Sequence, residues 1–301
     1  MDIRKIGLFL TLALLIGAGG FGLSRWLLAD DLSGIVGVLV YLWSPFLAAW
    51  IVQSLIYRES TARYGWTRKH FSFSWIGLSA LAPFLIVGLT LGVSFCMGNL
   101  LHVPGFGEVY STSLPAIQKV IHHPVLGKYP LWEVFNLPNE IWVLLGIFAV
   151  AVLVWGMTLG LLTSLGVEGG FRGFLLRETQ SLGFLGSNTV IGLLWGGWMA
   201  LLMWMQGELT YWTLLTTFGF YLSISFPMAW LAFKARSVHA PATFIAVLEP
   251  LLLIPSLFIW SDHPLASTQH SLAVMWGVML ITGLILKMDP DFDRKYQSWV
   301  F

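Results

Sequence analysis

Few residues in this chain can do chemistry, and they stand in unusual places. Glu168 and Arg172 lie four apart in the stretch GVEGGFRGFLLRE at 166–178, and Glu249 precedes Pro250 inside an apolar run. Ionisable groups at membrane depth are costly and usually face a protein interior or water, so two acids in such surroundings need a reason. On a helix, residues i and i+4 share a face, and Glu ahead of Arg is the favourable order. The pair reads either as a structural ion pair that lets a helix stay buried or as a catalytic acid held by an arginine. Glu249 reads equally as a hydrogen-bonded core acid or as a functional one. His239 stands near Lys234 and Arg236 at the mouth of an apolar segment, where an interfacial histidine is the plain reading. The His122–His123 pair could bind metal or sense pH. A solvated loop is the expectation for it, because no Cys, Asp or Glu stands nearby at ligand spacing.

The elements that must position these groups follow from composition. The 301 residues are 57% hydrophobic and only 10% charged, with a mean hydropathy of +0.78. Soluble domains carry about 25% charged residues, so lipid is the solvent expected here. A net charge of +1 gives no footprint for nucleic acid, and one cysteine, Cys96, excludes an intramolecular disulfide framework. The 16 Trp suit interfacial belts. With about 20 apolar residues needed per crossing, spans are expected at 6–28, 34–56, 75–100, 140–162, 188–205, 211–233, 241–260 and 272–286. The first follows Arg4 and Lys5 and reads as an uncleaved span. Kinks are expected at Pro45, Pro250 and Pro255. With the N-terminus inside, only Arg25, Lys119 and Lys128 of the 16 Lys and Arg fall on the outer side, which places both termini in the cytoplasm. The chain reads as a single integral domain over 1–301, with 102–138 as an outer loop or cap. Gly166, Gly169, Gly170 and Gly173 invite close approach of a neighbouring helix.

The stretch VEGGFRGFLLRE resembles the first motif of the CAAX-protease and bacteriocin-processing (CPBP) family of intramembrane proteases: two adjacent Glu, three residues, then Arg. IGLLWGGWMALLMW at 191–204 resembles the second motif region, an aromatic, three residues, then His. SVHAPATFIAVLEPLLLIPSLF at 237–258 resembles the third, His, three residues, then Asn. YLWSPFLAAWIV at 41–52 is similar to the early Pro-containing span of bacterial members. The resemblance implies an all-α fold of about eight transmembrane helices around an internal polar cavity, in a bacterial inner membrane. It also implies peptide-bond hydrolysis by a carboxylate-activated water at a zinc-type centre.

Carried over position by position, Arg172 matches the motif Arg and Glu168 the second Glu, while the first Glu falls on Val167. The aromatic falls on Trp195 and the second-motif His on Met199. The third motif places its His on Ala246 and its Asn on Pro250. Val and Ala take no proton and bind no metal, and a thioether is a poor ligand for zinc-like ions. With base and imidazoles replaced together, the expectation is a protein that has lost proteolysis and its metal. It would act as a scaffold, regulatory or substrate-binding subunit for another membrane or lipidated protein and for membrane lipids. The alternatives are an active protease whose site is rebuilt from Glu168, Glu249 and His239, with zinc, and a small-molecule or ion transporter, since buried acids also mark such pathways.

Overall fold

The computed structural model describes residues 2–28, 30–60, 72–109, 141–266 and 270–298. His122, His123 and most of the expected 102–138 loop lie outside them. The described chain is all-α apart from one two-residue ribbon. Its elements are α1 (Ile3–Leu27), α2 (Asp30–Trp50), α3 (Phe73–Ser94), β1 (Glu108–Val109), α4 (Ile141–Gly156), α5 (Leu159–Glu168), α6 (Leu176–Thr179), α7 (Gly183–Gln206), α8 (Tyr211–Ala235), α9 (His239–Leu251), α10 (Leu253–Phe258), β2 (Ile259–Trp260), α11 (Leu272–Met288) and α12 (Phe292–Gln297). Among the described residues, six helical stretches are long and apolar enough to cross a bilayer, and Leu145–Gly156 and Leu272–Met288 are shorter apolar helices. This is a polytopic integral membrane protein.

Two expectations about the spans need correction. The expected span at 140–162 is not one helix, because Thr158 leaves helical geometry (φ −123°, ψ −102°) between α4 and α5. The residues 163–182, expected as an inner connection, are helical. A π-helical segment, Gly169–Leu175, joins α5 to α6, and all of its residues are buried. Glycines and charges interrupt the hydropathy of 166–178, so the apolar run ends early. Those features serve packing inside the bundle.

Among the prolines, Pro45 sits within α2, which ends in a π-helical turn at Ile51–Ile56. Pro250 lies in the last turn of α9, and the helix breaks at Leu252 just beyond it. Each removes a backbone donor from its helix; α2 continues unbroken through Pro45 to Trp50.

One end of the bundle gathers both termini. Asp2 caps α1 by accepting from the amides of Arg4 and Lys5 at 3.0 and 3.2 Å. The buried Lys5 ammonium lies 2.7 Å from Glu59 and 2.9 Å from Glu178, tying α1, the end of α2 and α6 together. At the C-terminus, Lys234 and Lys295 donate to Asp289 at 2.8 and 2.6 Å and hold its carboxyl below the usual range. Asp293 accepts from the amide of Phe184 at 2.6 Å. The Tyr296 hydroxyl donates to Ser187 at 2.9 Å, and Phe292 and Tyr296 are fully buried. A short amphipathic helix thus seals the base of α7. At the opposite end β1 pairs antiparallel with β2, Glu108 opposite Trp260.

Candidate functional site

Glycine spacing builds the site. Gly166 and Gly170, one helical turn apart, face α2. A Cβ on Gly166 would sit 2.7 Å from the Leu42 carbonyl, and one on Gly170 would overlap the Pro45 Cβ. Only bare backbone fits at that separation. The same device recurs on α7, where a Cβ on Gly192 or Gly196 would meet the Cα of Leu222 or Phe218 of α8 at 2.6 and 3.0 Å. Between α6 and α7 the chain reverses at Gly183, whose φ of +75° favours glycine. The reversal lays α7 back along the 159–182 stretch in mirror register: Thr179 meets Ser187 at 2.7 Å, and the Phe171 and Trp195 rings lie 6.1 Å apart.

This hairpin buries Glu168 and Arg172 completely. The Arg172 Nε lies 3.5 Å from Glu168 Oε2, an ion pair beyond good hydrogen-bond length. Both carboxylate oxygens, and the Nε and Nη1 of the guanidinium, have no hydrogen-bond partner among the described residues. The guanidinium lies 4.2 Å above the Trp195 ring, and its Nη2 reaches the Met228 sulfur at 3.9 Å. Arg172 is therefore held by Coulomb attraction and by the negative face of an indole. Trp195, expected only as a motif aromatic, is the platform for the arginine. The π-helical segment beginning at Gly169 is the kind of helix irregularity often found at functional sites.

Beside the pair lies a cavity of about 90 Å³ lined by Leu42, Thr163, Ser164, Val167, Trp195, Met199, Tyr221, Ile245 and Glu249. It has room for a few waters or a small ligand group. Val167, Trp195 and Met199 come from the two motif segments and meet here. Glu249 joins them, accepting a 2.6 Å hydrogen bond from the Tyr221 hydroxyl. Tyr221 in turn packs on Trp195, ring centroids 4.4 Å apart. Tyr221, Thr163 and Ser164 were missed in the sequence, where single hydroxyls in apolar helices carry no spacing signal. The Gly192–Gly196 spacing marks a face of α7 that some helix approaches closely; that the helix is α8 is a tertiary fact.

Of the third-motif segment, one helix face borders the cavity. Ile245 and Glu249 line the cavity; Ala246 and Pro250 do not. The Ala246 carbonyl and Val247 instead pack against Gly156 of α4. His239 is also absent from the cavity lining. Its Nδ1 lies 2.9 Å from the Ser237 hydroxyl, ten residues and about 15 Å of helix before Glu249.

The donor set does not fit a catalytic zinc, which needs three protein ligands from His, Cys or carboxylate. Among the described residues no three such groups converge to hold a metal. One carboxyl, one phenol and two hydroxyls face hydrocarbon, an arrangement that can orient a polar group by hydrogen bonds while excluding bulk water. Compared with protein-family models and with curated proteins, the chain matches none.

Proposed function

We propose that this protein is a non-proteolytic member of the CPBP-like intramembrane architecture, with eight crossings, that binds a membrane-embedded or lipidated partner. The observation that carries the reading is the lining of the cavity. The positions carried over from the first and second motifs, Val167 and Met199, converge on one cavity and present hydrocarbon and a thioether there. Glu168 and Arg172, the motif residues that persist, are engaged with each other and with Trp195. In this reading the former substrate chamber holds a polar group of the partner against Glu249 and Tyr221, and apolar walls exclude water. The same reading puts the protein in a bacterial inner membrane. It puts the end carrying Lys5, Lys234, Lys287, Arg294 and Lys295 in the cytoplasm, following the excess of basic residues on that side.

The test is a cleavage assay on purified protein with membrane-peptide substrates, with and without added zinc, beside a native-membrane co-purification. No turnover is expected. A stoichiometric partner should be retained by the wild type and lost when Met199→Trp fills the cavity. Metal-dependent cleavage abolished by Glu168→Gln or Glu249→Gln would overturn the reading in favour of a rebuilt protease.

A further inference from the structure

We propose that the cleft at the end of the bundle opposite the termini binds an organic ammonium group. The cleft measures about 280 Å³, and its lining includes His102, Glu108, Trp260, Asp262 and His263. It shares no residue with the cavity at Glu249, so it does not rest on the function proposed above.

Three observations point to this chemistry. The β1–β2 register places Glu108 directly opposite Trp260, and side chains opposite each other on an antiparallel pair project from the same face. A carboxylate and an indole are thereby set side by side on the wall of the cleft. Trp260 is 50% exposed, so a large aromatic surface is on offer at an end of a membrane bundle. The second observation is charge: the lining carries two carboxylates, Glu108, whose Oε1 lies 3.8 Å from His102 Nδ1, and Asp262, and its described residues include no Lys or Arg. Carboxylate charge beside an aromatic face is the arrangement that selects alkylammonium ions. Third, no three His, Cys, Asp or Glu side chains converge to hold a metal among the described residues. The acids and imidazoles line a volume and do not surround a point, and a cation spread over several atoms suits that shape.

The cleft is also rigidly built. A Cβ on Gly98 would overlap the Gly107 carbonyl, so β1 is pressed against the helical end that follows α3. His263 Nδ1 accepts from the Leu265 amide at 3.3 Å, which fixes the ring at the cleft. The volume is near the lower limit of small-molecule sites and matches an ethanolamine or choline group. That group can come from a zwitterionic lipid at headgroup depth or from a soluble amine.

The experiment uses the full chain in maltoside micelles, labelled with 5-fluorotryptophan and followed by fluorine NMR. The Trp260 resonance is assigned with Trp260→Phe. Choline chloride and a short-chain phosphatidylethanolamine are titrated separately, against sodium chloride and a short-chain phosphatidylglycerol. A saturable shift of the Trp260 resonance with choline supports a soluble ammonium ligand. A shift with phosphatidylethanolamine alone supports a lipid headgroup. Either shift should require at least tenfold more ligand in Glu108→Gln/Asp262→Asn. The other Trp resonances report whether that variant keeps its fold; if they move, Asp262→Asn alone carries the comparison. No saturable shift with either ligand, an equal shift with the controls, or unchanged binding in the folded variant would overturn the proposal.

Discussion

Replacing Glu168 with Gln keeps the shape of the side chain and removes its charge, leaving Arg172 fully buried beside a neutral amide. At 3.5 Å, two unit charges attract by about 5 kcal/mol at an effective dielectric constant of about 20. Breaking one partner of a buried pair costs about 3–5 kcal/mol in measured cases. The expected loss is therefore about 3–5 kcal/mol, or roughly 150- to 5,000-fold in the unfolding equilibrium. Arg172→Met should cost a similar amount, because it strands the carboxylate. The double variant should recover much of that loss, since it leaves no uncompensated charge in the interior and Met228 and Trp195 already supply apolar contacts to the new Met side chain. Equilibrium unfolding in mixed dodecyl-sulfate micelles, followed by circular dichroism, closes the double-mutant cycle. A Glu168→Gln protein that unfolds within about 0.5 kcal/mol of wild type, a change typical of a neutral surface site, would refute the structural role of the pair. So would a double variant whose loss is the sum of the singles.

The helix contacts make a second prediction. Gly166→Ala and Gly170→Ala should each destabilise by about 1–3 kcal/mol, as overpacking does, because their Cβ atoms meet the α2 backbone or Pro45. Gly7→Ala, with open space around it, should be neutral or mildly stabilising in the same unfolding assay. Asp293→Ala removes the acceptor of the Phe184 amide. It should cost about 0.5–2 kcal/mol, the range for lost helix caps, with faster amide exchange confined to the start of α7 and to α12. Burial against Phe220 and Tyr221 pushes the His270 imidazole down to about 4. The unfolded chain takes up that proton near pH 6.5, so the folded state is favoured above about 6.5 and loses stability as pH falls towards 4. His270→Phe keeps a ring against Phe220 and should flatten that slope in unfolding transitions measured between pH 7 and 4.5; an unchanged slope would assign it to other groups.

The chain composition alone determined the solvent and the class. A sequence with 10% charged residues has too few to cover a soluble surface, and runs of about 20 apolar residues can satisfy their backbones in lipid only as helices. The face shared by Glu168 and Arg172, the close packing signalled by Gly166 and Gly170, and the helix end near Pro250 were likewise legible, because each depends on residue types and spacing within one helix. The tertiary structure decided what spacing cannot encode. Hydropathy ended a span near residue 162, yet 163–182 is helical, because a buried ion pair and glycine contacts replace the apolar surface that lipid would require. Gly183 sets the mirror register that puts Trp195 under Arg172, a relation between residues 23 apart that no local periodicity reports. Ile245 and Glu249 border the cavity, while Val247 of the same helix lies against Gly156 on a different helix. The rotation of one helix against its neighbours is set by such contacts, and a hydrophobic helix reads the same on every face until they are known.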